Sequence, residues 1–234
     1  SVGGHSPTAR ATLTGQASEG LVYGRAEYDM PYMPLDARMR FALASSRSEG
    51  IFATQTRSVN RSTDLTWGVD KLLGYHRDIV FKGSADLTTR ETRSNLSSTG
   101  AEISRVHDQQ FRLRWTADSE RLSSEPMRVE LTAVAGNYSD LVGLPNVAKG
   151  SYGKLEFLAR KQMNLSDDGQ WFGLAKVRGQ YASRHLDGYN QISLGGANGV
   201  RAYSTADGIG NDGLVSSLEI NRRLQSNQVV GMFY

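Results

Sequence analysis

The feature that most constrains this chain is a period of two. From Gln109 to Asp118 the odd positions read Gln109, Phe111, Leu113, Trp115 and Ala117, and the even ones Gln110, Arg112, Arg114, Thr116 and Asp118. Successive side chains of a strand point to opposite faces, so such a stretch is predicted to be a strand with one apolar and one charged face, not a helix. The division recurs at Met127, Val129, Leu131, Ala133 and Ala135 against Arg128, Glu130 and Thr132, and at Gly153, Leu155, Phe157 and Ala159 against Lys154, Glu156 and Arg160. It returns at Trp171, Gly173, Ala175, Val177, Gly179 and Tyr181 against Lys176, Arg178 and Gln180. Ile79–Thr88 and Arg38–Leu43 read the same way, weaker copies lie at Ala11–Ala17, Leu21–Tyr28, Thr63–Leu73 and Leu214–Leu224, and a last one starts at Gln228. About eleven strands result, each near the roughly 9–11 residues that a tilted strand needs to cross a bilayer.

The connectors alternate in character. Short turns such as Met33-Pro34-Leu35-Asp36 and Asp167-Asp168-Gly169 alternate with longer polar stretches at Ser46–Ser62, Glu91–Gly100 and Arg184–Gly213, the arrangement of an up-and-down barrel with short turns on one rim and long loops on the other. A soluble β-sandwich or lipocalin-like barrel also alternates, with the apolar face inside. Three features favour the transmembrane barrel. The polar faces carry Arg, Lys, Glu and Asp together, as a water-filled lumen does. Aromatics fall near strand ends (Tyr23, Tyr28, Trp67, Phe81, Trp171, Phe172, Tyr181), as interfacial girdles require. Gly and Ala occupy many apolar-face positions, which suits lipid better than a close-packed soluble core. No run of about 18 apolar residues occurs, so no transmembrane helix is expected. The fold class expected is all-β, an antiparallel transmembrane β-barrel.

Composition excludes several chemistries. With no cysteine there is no thiol nucleophile, disulfide framework or cysteine zinc site. His5, His76, His107 and His185 are far apart in sequence and none has metal-ligand spacing, so no metal is expected. No G-x-S-x-G elbow is present, and Gly195-Gly196-Ala197-Asn198-Gly199 is followed by neither Lys-Ser/Thr nor a helical pattern, so it is no phosphate loop. Catalytic residues and cofactors are therefore not expected, and the chain reads as a non-enzyme. The 27 Lys+Arg stand against 24 Asp+Glu, too even a balance for nucleic-acid binding.

The run Ser193-Leu194-Gly195-Gly196-Ala197-Asn198-Gly199-Val200-Arg201-Ala202-Tyr203, followed by Gly208-Ile209-Gly210-Asn211-Asp212-Gly213-Leu214 and Ser217-Leu218-Glu219-Ile220, resembles the "LGG, VRGY, GD-G, LEL" succession of the two-partner secretion transporters. This is the TpsB family of haemolysin-secretion and filamentous-haemagglutinin transporters, in the superfamily that also holds BamA-type assembly proteins. The hairpin from Leu21 to Pro34 is similar to that family's "YG-x-x-x-Y-x-x-P". The motif residues are Gly195, Gly196, Val200, Arg201, Ala202, Tyr203, Asp212 and Gly213, with Ala202 where the superfamily usually has Gly. A glycine-rich loop can fold back through conformations closed to other residues and approach an inner wall, and Arg201 at its tip would need a carboxylate partner there. In the family that partner is the Asp of an "F-x-D-x-G" motif; here Phe233 and Tyr234 match its start and the chain stops before the Asp.

The resemblance implies a 16-strand barrel preceded by POTRA domains, so residues 1–234 are expected to be a transmembrane barrel region of which the POTRA domains and terminal strands lie outside. A complete small barrel is the rival reading. Arg112, Arg114, Arg128, Glu130, Lys154, Glu156, Arg160, Lys176 and Arg178 are expected to face the lumen, either meeting an unfolded passenger with hydrated charge or pairing across strands to hold the wall. The function the resemblance implies is export, without ATP, of one dedicated TpsA-type β-helical exoprotein (an adhesin, haemolysin or toxin) by a bacterial outer-membrane monomer, with residues 194–213 acting inside the pore. Its other partners would be outer-membrane lipid and lipopolysaccharide. An insertase like BamA or TamA and a passive porin are the alternatives.

Overall fold

The computed structural model describes residues 8–18, 21–52, 56–119, 123–142, 149–195, 208–223 and 229–233. Among these, thirteen strands are formed: β1 (Arg10–Ser18), β2 (Leu21–Tyr32), β3 (Ala37–Phe52), β4 (Thr56–His76), β5 (Ile79–Leu96), β6 (Glu102–Asp118), β7 (Met127–Val142), β8 (Gly150–Asn164), β9 (Trp171–Ala182), β10 (Ile192–Ser193), β11 (Ile209–Gly210), β12 (Gly213–Arg223) and β13 (Val229–Phe233). Eleven of them make one sheet in the order β1-β2-β3-β4-β5-β6-β7-β8-β9-β12-β13, while β10 and β11 form a small separate hairpin. Every register given is antiparallel, for example Tyr28↔Phe41 and Phe41↔Trp67, or Phe157↔Gly179 and Val215↔Arg178. The first and last strands of the order are not paired with each other, so the sheet is an open portion of a barrel.

The chain divides into two compact units that cut across the strands. One holds residues 1–71, 84–113 and 134–152, and the other residues 72–83, 114–133 and 153–234.

In the first unit the apolar side of the strands is the exposed one. Leu13 is 85% exposed and Leu65 60%, and Tyr28, Phe41 and Trp67, register neighbours on β2, β3 and β4, form a row of exposed aromatics. The covered side holds the polar residues Ser58, Ser62, Asp86, Thr92, Asp108 and Gln110, beside small or aromatic ones such as Ala42, Ala44, Tyr138 and Tyr152. The second unit repeats the division, with Leu131, Leu155, Leu214 and Leu218 exposed while Thr116, Thr132, Lys154, Gln180 and Asn221 are buried. A soluble sandwich or lipocalin covers the apolar face and wets the polar one. The opposite arrangement is the one a transmembrane barrel requires, because only lipid makes an exposed band of Leu, Phe and Trp favourable.

Two expectations are corrected. Ser46–Ser62 and Glu91–Gly100 are not loops over most of their length: β3 runs to Phe52, β4 begins at Thr56, and β5 continues to Leu96. In Ser46–Glu49 and Glu91–Asn95 polar residues occupy both faces, so the alternation that marks a strand in sequence fades while the backbone ladder goes on. Phe172 is likewise not part of an aromatic girdle, since it is 7% exposed and lies under the Arg223 guanidinium on the covered face. The short turns are as expected. Met33–Leu35 is one 3₁₀ turn closed by Asp36 in the left-handed conformation, and Ser166–Gln170 turns with Gly169 at positive φ.

Candidate functional site

The polar face of β8 and β9 holds both feet of the segment between β9 and β12. Gln180 extends its amide from β9 and donates to the carbonyl oxygens of Asn190 (3.0 Å) and Asn211 (2.8 Å), one on each foot. Lys154, on β8, donates from Nζ to the same Asn190 carbonyl at 3.2 Å and is ion-paired with Glu156 at 2.6 Å; its side chain is only 4% exposed. Arg178 donates to the carbonyl of Ser193. The bare charge of Lys154 is thus compensated in its buried setting by a carboxylate and a backbone dipole.

The two feet also bind each other. Ile192↔Gly210 and Ser193↔Ile209 pair as β10 and β11, and the Leu194 N–H donates to the Gly208 carbonyl at 3.1 Å. Glycine is required at two of these positions. Gly208 has φ +63°, and a Cβ on Gly213 would lie 2.9 Å from both Ile192 and Leu194. Asn211 accepts the Leu186 N–H at 2.9 Å through Oδ1, and Asp212 accepts the Ala182 N–H at 2.6 Å where β9 ends. Leu186 itself is completely buried.

Of the motif residues, Gly195 is buried beside this hairpin, and Asp212 and Gly213 sit as described. Gly196, Val200, Arg201, Ala202 and Tyr203 lie outside the described residues. Of the polar strand residues Lys154 is buried, Arg160 is exposed and the others are half-buried, mostly in pairs. Arg114 meets Glu130 at 3.3 Å, and Arg128 meets Glu130 at 2.9 Å and Asp118 at 4.0 Å. Arg112 donates to the Gln110 amide oxygen at 3.2 Å. Arg160 and Lys176 stand opposite each other on β8 and β9.

Several functional residues escape a reading of the sequence. Gln180 is visible as a strand end, but Asn190 and Asn211 act through backbone carbonyls, which leave no mark in sequence. Gly68 is another: the Arg40–Asp86 ion pair (2.5 Å) passes across it, and a Cβ there would lie 2.1 Å from Asp86 Oδ1. Arg40 also meets Asp70 at 3.1 Å. Asp108, 1% exposed, receives hydrogen bonds from the Tyr152 hydroxyl (3.1 Å) and the Gln110 amide (2.6 Å), and Tyr152 stacks on Tyr138 across Gly136, where a Cβ would collide with its ring. Among the described residues no group of three His, Asp or Glu is placed to hold a metal ion.

The architecture is that of an antiparallel transmembrane β-barrel with a hairpin-footed segment fixed to its polar face. Among the solved structures that share the fold are the following three. CdiB from Escherichia coli superposes with a TM-score of 0.71 at 18% identity over 87% of this chain and 39% of that one. CdiB from Acinetobacter baumannii gives 0.65 at 15% identity over 88% of this chain and 37% of that one. BamA from Haemophilus ducreyi lacking POTRA domains 1–3 gives 0.60 at 12% identity over 93% of this chain and 48% of that one. The chain therefore spans less than half the length of each. No protein-family model matches it, and no curated protein does.

Proposed function

We propose that this chain is the barrel region of a bacterial outer-membrane transporter that exports one dedicated large β-helical exoprotein. The observation that carries the reading is the attachment of both feet of the Leu194–Gly213 segment to the polar face of β8 and β9 by Lys154, Arg178 and Gln180. A segment held on the polar side of a barrel wall stands where it can occupy or brace the pore. The resemblance of Ser193–Tyr203 to the two-partner secretion motif and the fold likeness to CdiB support the same conclusion. Arg112, Arg114, Arg128, Glu130, Lys154, Glu156, Arg160, Lys176 and Arg178 then line the lumen as a hydrated wall of both signs, to which an unfolded chain does not adhere. No step of such passage needs a catalytic group or cofactor.

The fold likeness to BamA favours a second reading, an assembly factor that inserts other barrels. One experiment separates them. Deleting the gene in the source bacterium should remove a single large protein from the culture medium and leave the outer-membrane protein profile intact. A general loss of outer-membrane barrels would instead establish the assembly role, and loss of small-solute uptake alone would establish a porin.

A further inference from the structure

On the lipid-facing side of the first unit, three neighbouring strands carry the same gradient. β3 passes from Leu43 through Ser45 to Arg47, β4 from Leu65 through Thr63 to Arg61, and β5 from Leu87 through Thr89 and Glu91 to Arg93. Arg47 stands directly opposite Arg61. The Ser97 N–H donates to the Arg57 carbonyl at 2.8 Å and the hydroxyls of Thr66 and Thr88 meet at 3.1 Å, a register that sets Arg93 opposite Arg61 on the other side. Like charges directly opposite on adjacent strands weaken a sheet, and here three stand in a row. The acids nearby do little to offset them. Arg47 meets Glu49 at 3.4 Å and Arg93 meets Glu91, each pair on one strand and open to water, where an ion pair is worth little. Arg61 has no side-chain hydrogen bond or ion pair among the described residues, and neither has Arg57, further along the same face of β4. At the apolar end of the gradient lies a groove of about 670 Å³, bordered by Leu65, Trp67, Leu87 and Phe111, with Thr89 and Gln109 on its side nearer the arginines. The opposite end of β3 closes on β2 through the turn Met33–Leu35, the short kind that faces the periplasm, so the arginine row lies at the level of the outer leaflet.

We propose that Arg47, Arg61 and Arg93 hold the phosphate of a phosphorylated glycolipid of the outer leaflet, whose acyl chains lie against Leu43, Leu65 and Leu87 and in the groove beside them. The site is on the outside of the barrel wall and is independent of what passes through the lumen. Three properties select this occupant. Three cations side by side favour a multiply charged anion, and the planar guanidinium fork matches phosphate oxygens. The hydroxyls of Ser45, Thr63 and Thr89 fall between the cations and the leucines, where the sugar hydroxyls of such a lipid would lie. Leu65 and Arg61 are four residues apart on one strand, about 13 Å, a span that a sugar headgroup and an arginine side chain bridge. The exposed leucines and the groove supply an apolar seat that free phosphate cannot use, and its volume falls within the range of sites for small ligands, roughly 300–1,000 Å³.

The test uses the full-length protein in detergent, with binding read by native mass spectrometry. The probes are lipid A with its phosphates, the same lipid A after phosphatase treatment, phosphatidylglycerol and inorganic phosphate. Phosphorylated lipid A should bind about tenfold more tightly than the dephosphorylated form, and the R61Q/R93Q variant should lose that preference while R61K/R93K keeps part of it. The L65S/L87S variant should bind both forms of lipid A several-fold more weakly and leave the preference between them intact. Heat-modified electrophoretic mobility verifies that each variant is folded. Equal affinity for the two forms of lipid A, a preference unchanged in R61Q/R93Q, or undiminished lipid binding in L65S/L87S overturns the proposal. Phosphatidylglycerol binding as tightly as phosphorylated lipid A overturns it in favour of a site for any anionic lipid, and displacement of lipid A by millimolar inorganic phosphate overturns it in favour of a free-anion site.

Discussion

The charges of β2–β5 and those of β8–β9 are put to different use. On the polar face of β2–β5 they are answered inside the sheet: Arg38 meets Asp29, Arg40 lies between Asp70 and Asp86, and Arg90 grips both oxygens of Asp64 at 2.7 and 3.2 Å. On β8–β9, Lys154, Arg178 and Gln180 reach out of the sheet to the carbonyls of Asn190, Ser193 and Asn211. The first pattern joins strand to strand through side chains at both ends. The second grips a separate segment by its backbone, so the hold is indifferent to that segment's side chains. A polar face can therefore serve as mortar in one place and as a mount in another, and the partner of each cation tells which.

If this contrast is right, the largest effect on stability comes from the first region. Gly68→Ala puts a methyl group where the Arg40–Asp86 pair crosses β4, and Asp86, with a side chain only 6% exposed, loses its cation. Breaking a buried pair from one side costs on the order of 3 kcal/mol. Gly24→Ala is the control, since no atom lies within 4 Å of its Cβ position, and it should stay within about 0.5 kcal/mol of the parent. Urea unfolding of both variants in detergent decides the matter. Equal midpoints would mean that the bridge over Gly68 does not hold the wall.

Tyr152→Phe comes next. It removes the hydroxyl that donates to Asp108 and leaves the stack on Tyr138 in place, so the expected loss is about 1–3 kcal/mol, the cost of under-satisfying a buried acceptor. Tyr152→Phe in an Asp108→Asn background should lose less than in the parent. An additive result would detach the tyrosine from the carboxylate and show that this hydrogen bond does not tie β8 to β6.

How much of this was legible in the sequence depends on whether side chains or backbone carry the information. The strands were legible wherever lipid faces one side, because apolar residues such as Phe111, Leu113 and Leu131 must then alternate with polar ones such as Arg112 and Glu130. They were illegible where polar residues occupy both faces, as in residues 46–49 and 91–95. The glycines of the loop feet stood out, since Gly208 and Gly213 answer to a positive φ and a close contact. The mount did not, for Asn190 and Ser193 are held by carbonyls that every residue possesses. Gly68 was hidden for the same kind of reason: its role is to lack a side chain on a polar face, and an absence in an alternating pattern reads as noise.

The mount itself is tested by Lys154→Met, which keeps the length and apolar stem of the side chain and removes the charge. The carbonyl of Asn190 then depends on Gln180, while Glu156, about a third exposed, remains solvated. Loosening the foot by about 1 kcal/mol should speed limited proteolysis in residues 183–195 roughly fivefold. The urea midpoint should change little, because the sheet keeps its own pairs. A falling midpoint without faster cleavage would show that Lys154 belongs to the wall after all.

The smallest effect expected lies outside both regions, in the short turn between β8 and β9. Asp168 accepts hydrogen bonds from the Ser166 hydroxyl (2.6 Å) and the Gln170 N–H (2.9 Å), and these hold its carboxyl below the usual value. A depressed value in the folded state means that the charged form is favoured by folding. The contribution is complete above the unfolded-state value of about 3.9 and is lost as the pH falls through the lower folded-state value. Asp168→Ala should therefore lower the unfolding midpoint slightly at neutral pH, and its gap from the parent should narrow as the pH falls from about 5 to about 2. A gap that stays constant over that range would assign the turn's stability to Gly169 and the backbone, with no part for the carboxylate.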